Sequence, residues 1–201
     1  MILLPTSYFG NIEYYSKLLT GEPVEIEIYE NFPKQTYRNR MLIMTANGVI
    51  PIIVPLKRSR GGKIMTKDIE IDYSMQWQQG AWRAIVSAYR NSAYFDHFEQ
   101  KIEPFFHTRF ESLIEMNNKI VETILPIIGG TADIKMTSSY VHNSEGEDLR
   151  SYFTPKSEQQ YIGKPYYQVF SDRLAFTGNL SILDLIFCEG SNAIEYVTIK
   201  K

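Results

Sequence analysis

The sequence ILLPTSYFGNIEYY at residues 2–15 decides how this 201-residue chain folds. The aliphatic residues at 2–4 predict a short buried strand. From Asn11 to Leu19 apolar side chains recur at helical spacing, and Gly21 and Pro23 end that helix. The chain therefore begins with a strand, a turn and a helix.

Two further strand patterns follow. Residues 24–30 alternate apolar side chains with glutamates, which predicts a half-buried strand whose other face meets water. The dipeptide Asn47-Gly48 predicts a tight turn between hairpin arms at 41–46 and 49–56. Two prolines in the second arm cannot donate ladder hydrogen bonds, so that arm is expected at a sheet edge or broken by a bulge.

The second half of the chain carries longer helical patterns. Apolar side chains on one face predict core helices at 75–91 and 103–125. Residues 132–136 alternate as a further strand, residues 141–164 are polar and irregular, and residues 194–199 predict a closing strand.

The last predicted helix opens at Asn179-Leu180-Ser181 and closes at Gly190, with Ser181 and Asp184 spaced as a capping box. Strands that alternate with helices indicate an α/β fold: a mixed sheet with an inserted antiparallel hairpin and helices packed against it. An α+β arrangement is the alternative. Since no linker or repeat interrupts the pattern, residues 1–201 are interpreted as a single domain.

Composition excludes several protein classes. With 44% hydrophobic and 22% charged residues, the chain is neither disordered, collagenous nor a coiled coil. Its longest apolar run, residues 49–56, is far shorter than the ~20 residues of a membrane-spanning helix. No secretory signal is readable at the start, and the single Cys188 excludes an internal disulfide. We therefore predict a cytoplasmic location.

The net charge of −2 hides an uneven distribution. Residues 31–67 contain no acidic side chain and eight basic ones: Lys34, Arg38, Arg40, Lys57, Arg58, Arg60, Lys63 and Lys67. The remainder holds 21 − 8 = 13 basic and 23 acidic side chains. A local excess of positive charge attracts anions, so an anionic partner is predicted. The alternative is a solvated hairpin and loop without a ligand.

Several motifs occur in order along the chain at consistent spacing. They are Leu3–Tyr15, Lys34–Arg40 followed by the Asn-Gly hairpin and Ile53–Lys57, Trp77 with Ala88–Phe95, Tyr166–Phe170, and Asn179–Phe187. Together these motifs resemble the WbqC-like protein family over nearly the whole chain.

The resemblance implies a role in bacterial surface-polysaccharide synthesis, such as that of O-antigen, with a transferase activity for which no reaction is assigned. The chain departs from the family pattern at three places. Gly10 stands where proline is usual, Gly80-Ala81-Trp82 lacks a histidine often found in that helix, and residues 141–164 are too short for the extra α/β unit of longer members.

The basic segment supplies the leading ligand-binding candidates. Arg38 and Arg40 lie two residues apart, so in an extended segment they would point to one side and clamp a phosphate or carboxylate. Lys34 and Asn39 would add donors. The alternative is that one arginine makes a structural ion pair with an acidic helix. The Gly-Gly loop at 57–63 has the composition of an anion nest but not the spacing of a phosphate-binding P-loop.

Other candidates lie where strands end. Tyr8 and Tyr14 follow the first strand and would stack on a base or sugar, or else pack in the core. Ser138 and Ser139 follow a later strand, where we expect hydrogen bonding or capping, because no nucleophile elbow or partner histidine accompanies them. These candidates are joined, through the family resemblance, by Tyr166 and Gln168.

The sequence names no catalytic residue, cofactor or oligomeric state. The histidines lack metal-ligand spacing, and Cys188 is expected to be buried and inert. Asp184 is expected to cap its helix.

Two functions remain. One is a cytoplasmic transferase that uses an anionic activated small molecule, such as a nucleotide-sugar, acyl-CoA or adenylate. The other is a binding or assembly protein whose basic face meets an acidic protein or a lipid-phosphate carrier. A pI near 6.0 and the absence of a base-reading module argue against nucleic acid. A pocket that joins the basic segment to the strand ends would favour the enzyme, and a flat face the binding protein.

Overall fold

A computed structural model describes residues 1–57, 62–155 and 163–198. Its strands are β1 (Ile2–Pro5), β2 (Val24–Glu27), β3 (Arg40–Thr45), β4 (Gly48–Ile53), β5 (Ile134–Met136) and β6 (Glu147–Asp148). Its α-helices are α1 (Ile12–Leu18), α2 (Trp77–Tyr89), α3 (Phe95–Ile102), α4 (Leu113–Ile127), α5 (Ile182–Glu189) and α6 (Ile194–Val197).

The main sheet is parallel, with strand order β5-β2-β1-β6. The chain leaves β1 towards β2 and β5 on one side, then returns to place β6 on the other side. The strand order therefore reverses between β1 and β6, which is the position where open α/β sheets form a crevice. The α/β prediction is confirmed.

The hairpin of β3 and β4 forms a second, antiparallel sheet of its own. Thr45 pairs with Gly48, whose φ of +103° suits the tight turn predicted at Asn47-Gly48. The second arm ends at Ile53, earlier than predicted. The Val54 N–H still donates to the Asn39 carbonyl, and Pro55 then has no N–H to donate. The hairpin packs on α2 and α5.

The turn after β1 docks onto the start of α5. Asn11 caps α1 by accepting from the Tyr14 N–H, and Ser181 caps α5 by accepting from the Leu183 N–H. The Ser181 hydroxyl also donates to the Phe9 carbonyl at 2.8 Å. Both helices therefore begin at one hydrogen-bonded junction, as the predicted cap at Ser181 allows.

The predicted helix at 103–125 is wrong as a single element. The structure has α3, a 3-10 turn at Glu103–Phe106, a loop, and then α4. Pro104 is the second residue of the 3-10 turn, and the Ser112 hydroxyl caps α4 by accepting from the Glu115 N–H. The apolar periodicity continues across the break because all of these segments bury residues in the same core.

Three other predictions are corrected. The second face of β2 does not meet water throughout, since Glu27 is fully buried. The segment at 141–164 contains β6, and its residues 156–162 lie outside the described residues. The predicted closing strand is the helix α6 as far as Val197, and Ile199 lies outside the described residues.

The end of α5 at Gly190 has a backbone conformation and a close packing that favour glycine. Its φ of +61° is rarely adopted by other residues, and an added Cβ would lie 2.6 Å from the Tyr94 ring. Gly190→Ala is expected to lower the free energy of unfolding by about 1–3 kcal/mol. The matched control Gly80→Ala, in the exposed part of α2 with no neighbour within 4 Å, should raise it by about 0.5–1 kcal/mol. Urea unfolding measures the free energy of unfolding of both variants. Equal effects of the two substitutions would contradict the prediction that the end of α5 requires glycine.

Candidate functional site

The carboxyl ends of the parallel strands surround a crevice of about 350 Å³ at the switch point between β1 and β6. We call it the switch-point crevice. It is lined by Glu30, Pro33, Arg38, Tyr140, Asp148, Arg150, Ser151 and Thr154. These residues lie at or after the carboxyl ends of β2, β5 and β6, so the sheet topology brings them together.

Arg38 forms one buried wall of this crevice. It lies in a 3-10 turn, Tyr37–Asn39, in which the Thr36 hydroxyl accepts from the Arg38 N–H. Its guanidinium donates to Thr36 Oγ1 at 2.8 Å, to the Arg150 carbonyl at 3.0 Å, and to Glu30 Oε1 at 2.6 Å. The side chain is only 2% exposed. Such burial is tolerated because acceptors surround the charge.

Arg150 forms the opposite wall. Its Nε and Nη2 donate to the Asp148 carboxylate, the Nη2 contact being 2.6 Å long, and its Nη1 donates to the Val141 carbonyl at 2.7 Å. The guanidinium lies 5.1 Å from the centre of the Tyr140 ring. The hydrogen bonds from Arg150 lower the pKa of Asp148 below its usual range.

Glu27 lies behind the crevice, fully buried at the end of β2. Its carboxylate accepts from Thr137 Oγ1 at 3.1 Å and from the N–H groups of Tyr29 and Val141 at 2.8 and 2.9 Å. Arg150 Nη1 is 3.4 Å away. Glu27 thus fixes the ends of β2 and β5 relative to Arg150. Sequence reasoning missed this residue, because nothing in the alternating pattern separates it from Glu25.

Glu30 lines the crevice beside Arg38. Burial raises the pKa of the Glu30 carboxyl, and the Arg38 guanidinium opposes that rise in part. Two carboxyl groups of the same crevice, Glu30 and Asp148, therefore have pKa values shifted in opposite directions.

Arg38 and Arg40 do not share an extended segment, so the geometry expected for them is wrong. Arg38 lies within the 3-10 turn, and Arg40 begins β3 with its Nε buried and without a partner among the described residues. Asn39 Nδ2 donates to the Val54 carbonyl, and Lys34 is exposed. The predicted acidic helix is replaced by Glu30, in the loop after β2. Of the four, Arg38 lines the crevice.

The other cations of the basic segment are spread and partly neutralised. Lys57 pairs with Glu70 at 2.5 Å and Lys67 pairs with Asp68 at 2.7 Å, beside a wide cleft of about 910 Å³ that mixes both charges. Lys63 is exposed. Within the predicted loop at 57–63, residues 58–61, which include Arg58 and Arg60, lie outside the described residues. No concentrated positive face is therefore formed by the described part of this segment.

Tyr8 and Tyr14 pack in the core. Burial raises the pKa of both phenols, the Tyr14 hydroxyl donates to the Pro5 carbonyl at 3.0 Å, and Tyr8 contacts the Phe9 ring edge-on. Ser138 and Ser139 are exposed just after β5. A role for these four residues in ligand binding stays a prediction.

Tyr166 and Gln168 converge on a buried carboxylate. Asp184 accepts from the Tyr166 hydroxyl at 2.5 Å, from Gln168 Nε2 at 2.8 Å and from the Tyr89 hydroxyl at 2.9 Å. The expectation that Asp184 caps α5 is wrong, since its carboxylate points into this cluster and Ser181 caps alone. The cluster lies away from the crevice lining, and its bonds join α2, α5 and the segment at 166–168.

Asn117 of α4 lines a second, mostly apolar cavity of about 280 Å³ between α4 and β5 and contacts the turn that carries Arg38. Its Nδ2 donates to the Arg38 carbonyl at 2.9 Å and to Thr6 Oγ1 at 3.0 Å. Asn117 thereby joins the turn that carries Arg38 to α4 and to Thr6 after β1. Thr6 and Tyr14 line this cavity.

Two further properties concern the described residues. No group of three His, Cys, Asp or Glu side chains among residues 1–57, 62–155 and 163–198 is placed to hold a metal ion. In the same part of the chain, every helix is too short or too polar to cross a membrane.

Cys188 is half-buried, rather than fully buried as expected, and burial raises the pKa of its thiol.

Replacing Arg38 tests whether this residue of the crevice wall also stabilises the fold. Arg38→Ala leaves Glu30 without its partner and is expected to lower the free energy of unfolding by about 3–5 kcal/mol. The control Lys34→Ala removes an exposed cation from the same segment and should change it by less than about 0.5 kcal/mol. Urea unfolding distinguishes them, and a small effect of Arg38→Ala would show that its buried contacts contribute little.

Asp184→Asn tests how much the buried hydrogen-bond cluster around Asp184 stabilises the fold. Asparagine keeps only one of the two acceptor oxygens, so either the Tyr89 hydroxyl or the Tyr166 and Gln168 donors lose their acceptor, and the variant should be less stable by about 1–3 kcal/mol. Burial raises the pKa of Asp184, so the folded state binds its proton more readily than the unfolded state. The wild type should therefore gain stability over the variant as the pH falls from 7 towards the usual carboxyl range. Urea unfolding at several pH values measures this difference; a difference that shrinks at lower pH contradicts it.

Comparison with known proteins gives one match. The family model described as "WbqC-like protein family" matches residues 6–162, more than half of the chain. No curated protein and no solved structure matches. The matched range includes every residue that lines the switch-point crevice. It ends before Tyr166, so the resemblance of the C-terminal motifs to this family stays a prediction.

Proposed function

This chain belongs to the WbqC-like protein family, and on that premise we propose that it is a cytoplasmic transferase. Its substrate is an anionic activated small molecule used in surface-polysaccharide or related biosynthesis. The observation that carries the proposal is the switch-point crevice, where Arg38 and Arg150 meet Glu30 and Asp148. Ligands of open α/β sheets bind at this position.

The charges of the crevice favour a nucleotide-sugar over the other two classes. Arg150 offers an N–H donor to a phosphate beside the positive charge of the buried Arg38, and the carboxylates of Glu30 and Asp148 accept hydrogen bonds from hydroxyl groups. The Tyr140 side chain is 44% exposed and offers a ring face to a sugar or base. Because positive and negative groups balance, the crevice suits a ligand that carries both a phosphate and several hydroxyls.

The alternative, a binding or assembly protein, required a flat basic face. Arg38 is buried, while Lys57 and Lys67 pair with carboxylates. The crevice instead brings part of the basic segment, through Arg38, to the ends of β5 and β6. The described residues therefore support the enzyme better than the assembly protein.

Filling the crevice tests the proposal without breaking its ion pairs. Ser151 lines the crevice and is exposed, so Ser151→Trp should occupy the space with little effect on the free protein. A ligand at 100 times its Kd stabilises the folded state by about 2.7 kcal/mol. For a domain of this size that raises the Tm by about 5–10 °C. We expect this shift with UDP-glucose or a related nucleotide-sugar for the wild type, and its loss in Ser151→Trp.

The matched control is Ser87→Trp, at an exposed position of α2 outside the crevice. It should respond to nucleotide-sugars as the wild type does. Acetyl-CoA and AMP, tested in parallel, should give smaller shifts. If Ser151→Trp responds like the control, the ligand does not bind in the crevice. If no nucleotide-sugar shifts the wild type, the proposed substrate class is wrong.

A further inference from the structure

We propose that Glu30 is the general base of the transfer reaction and that Arg150, held by Asp148, binds the departing phosphate. The inference rests on the proposed function and adds the catalytic group, which neither the sequence patterns nor the family match assigns. It is carried by the way the two carboxylates of the switch-point crevice are bound.

The Glu30 carboxylate is fixed by one oxygen. Arg38 holds Oε1 through Nε and Nη2, each at 2.6 Å. Oε2 accepts no hydrogen bond from the part of the chain that the structure describes, and the side chain is 13% exposed where it lines the crevice. A carboxylate held through one oxygen, with its other oxygen unbonded by the described residues at the lining of a cavity, has the geometry required of a base that takes a proton from a bound acceptor.

Asp148 is bound differently. Arg150 donates to both of its oxygens, with contacts of 3.0, 3.1 and 2.6 Å. These bonds favour the ionised form, whereas burial of Glu30 favours the protonated form, so the pKa values of the two carboxyl groups are shifted apart. Such a separation is typical of sites where one carboxyl transfers a proton and the other remains charged.

The charged groups around Glu30 shift the pKa of its carboxyl in both directions. Arg38 and Arg150 lower its pKa and Glu27 raises it, while burial makes the largest contribution. The carboxyl therefore titrates above its usual range but still ionises at higher pH. A base must be ionised to act, so the reaction should slow as the pH falls through the pKa of Glu30.

Arg150 retains a donor for the phosphate. A guanidinium carries five N–H groups, and the contacts to Asp148, Val141 and Glu27 use four of them within the described residues. The remaining Nη2 hydrogen can bind a phosphate oxygen of the donor substrate. Asp148 keeps this side chain in place through the paired contacts on Nε and Nη2.

The step proceeds with a nucleotide-sugar and an acceptor alcohol. The acceptor O–H bond breaks and its proton passes to Glu30 Oε2. The electron pair left on the acceptor oxygen forms a bond to the anomeric carbon. The bond from that carbon to the phosphate oxygen breaks, and the nucleoside diphosphate leaves with the electron pair, bound by Arg150. When water replaces the alcohol, the same step hydrolyses the donor.

Glu30→Gln tests the inference, because glutamine keeps an oxygen for Arg38 but cannot take up the proton. We expect the release of nucleoside diphosphate from the nucleotide-sugar to fall by about 10²- to 10⁴-fold in kcat. The thermal shift on binding and KM should change by less than about threefold. The wild-type rate should fall on the acidic side, and the variant should lack that limb of the pH profile. Glu145→Gln, at an exposed position outside the crevice, is the matched control.

The outcomes separate the two proposals. A wild type that neither binds nor cleaves any nucleotide-sugar overturns the proposed function. A wild type that binds one but releases no nucleoside diphosphate, with water or with a panel of sugar alcohols, overturns the inference and leaves binding in place. Equal rates for Glu30→Gln and the control also overturn it. Should Glu30→Gln fail to fold, Glu30→Asp retains the charge, and a rate equal to that of the wild type would count against a positioned base.

Discussion

The buried carboxylate of Glu27 is the constraint on which the sheet edge depends. Removing an ionised carboxylate from water is costly unless donors replace the lost hydration. Here the donors are the Thr137 hydroxyl, two backbone N–H groups and Arg150. They belong to the segments that follow β2, β5 and β6. Satisfying one charge therefore brings three strand ends together and forms the rear of the crevice.

Acidic and basic side chains alternate along the series of contacts that begins at Glu27. Arg150 lies between Glu27 and Asp148, and its carbonyl accepts from Arg38, which in turn holds Glu30. Each side chain is positioned by one of opposite charge, so the polar lining is preorganised before any ligand arrives. The outcome is a site whose recognition depends on hydrogen-bond geometry rather than on a net positive field.

Local signals predicted the elements that depend on local chemistry. The junction of β1 and α1, the turn at Asn47-Gly48 and the Ser181 cap each involve residues with a specific backbone or hydrogen-bond preference. Long-range contacts decided the rest. Glu27 and Glu25 are equivalent in sequence, yet one is buried by partners more than 100 residues away. The two-residue strand β6 has no pattern of its own and exists because β1 pairs with it.

The central claim is that the substrate binds in the switch-point crevice, against Arg150 and beside the buried Arg38. The most direct measurement is the ¹H–¹⁵N spectrum of the arginine side chains during titration with UDP-glucose. The Nε–H signals of Arg38 and Arg150 should shift together and saturate, while that of Arg109, beside the wide cleft at Lys57 and Glu70, should not move. Saturating shifts confined to Arg109, with Arg38 and Arg150 unchanged, would contradict the claim.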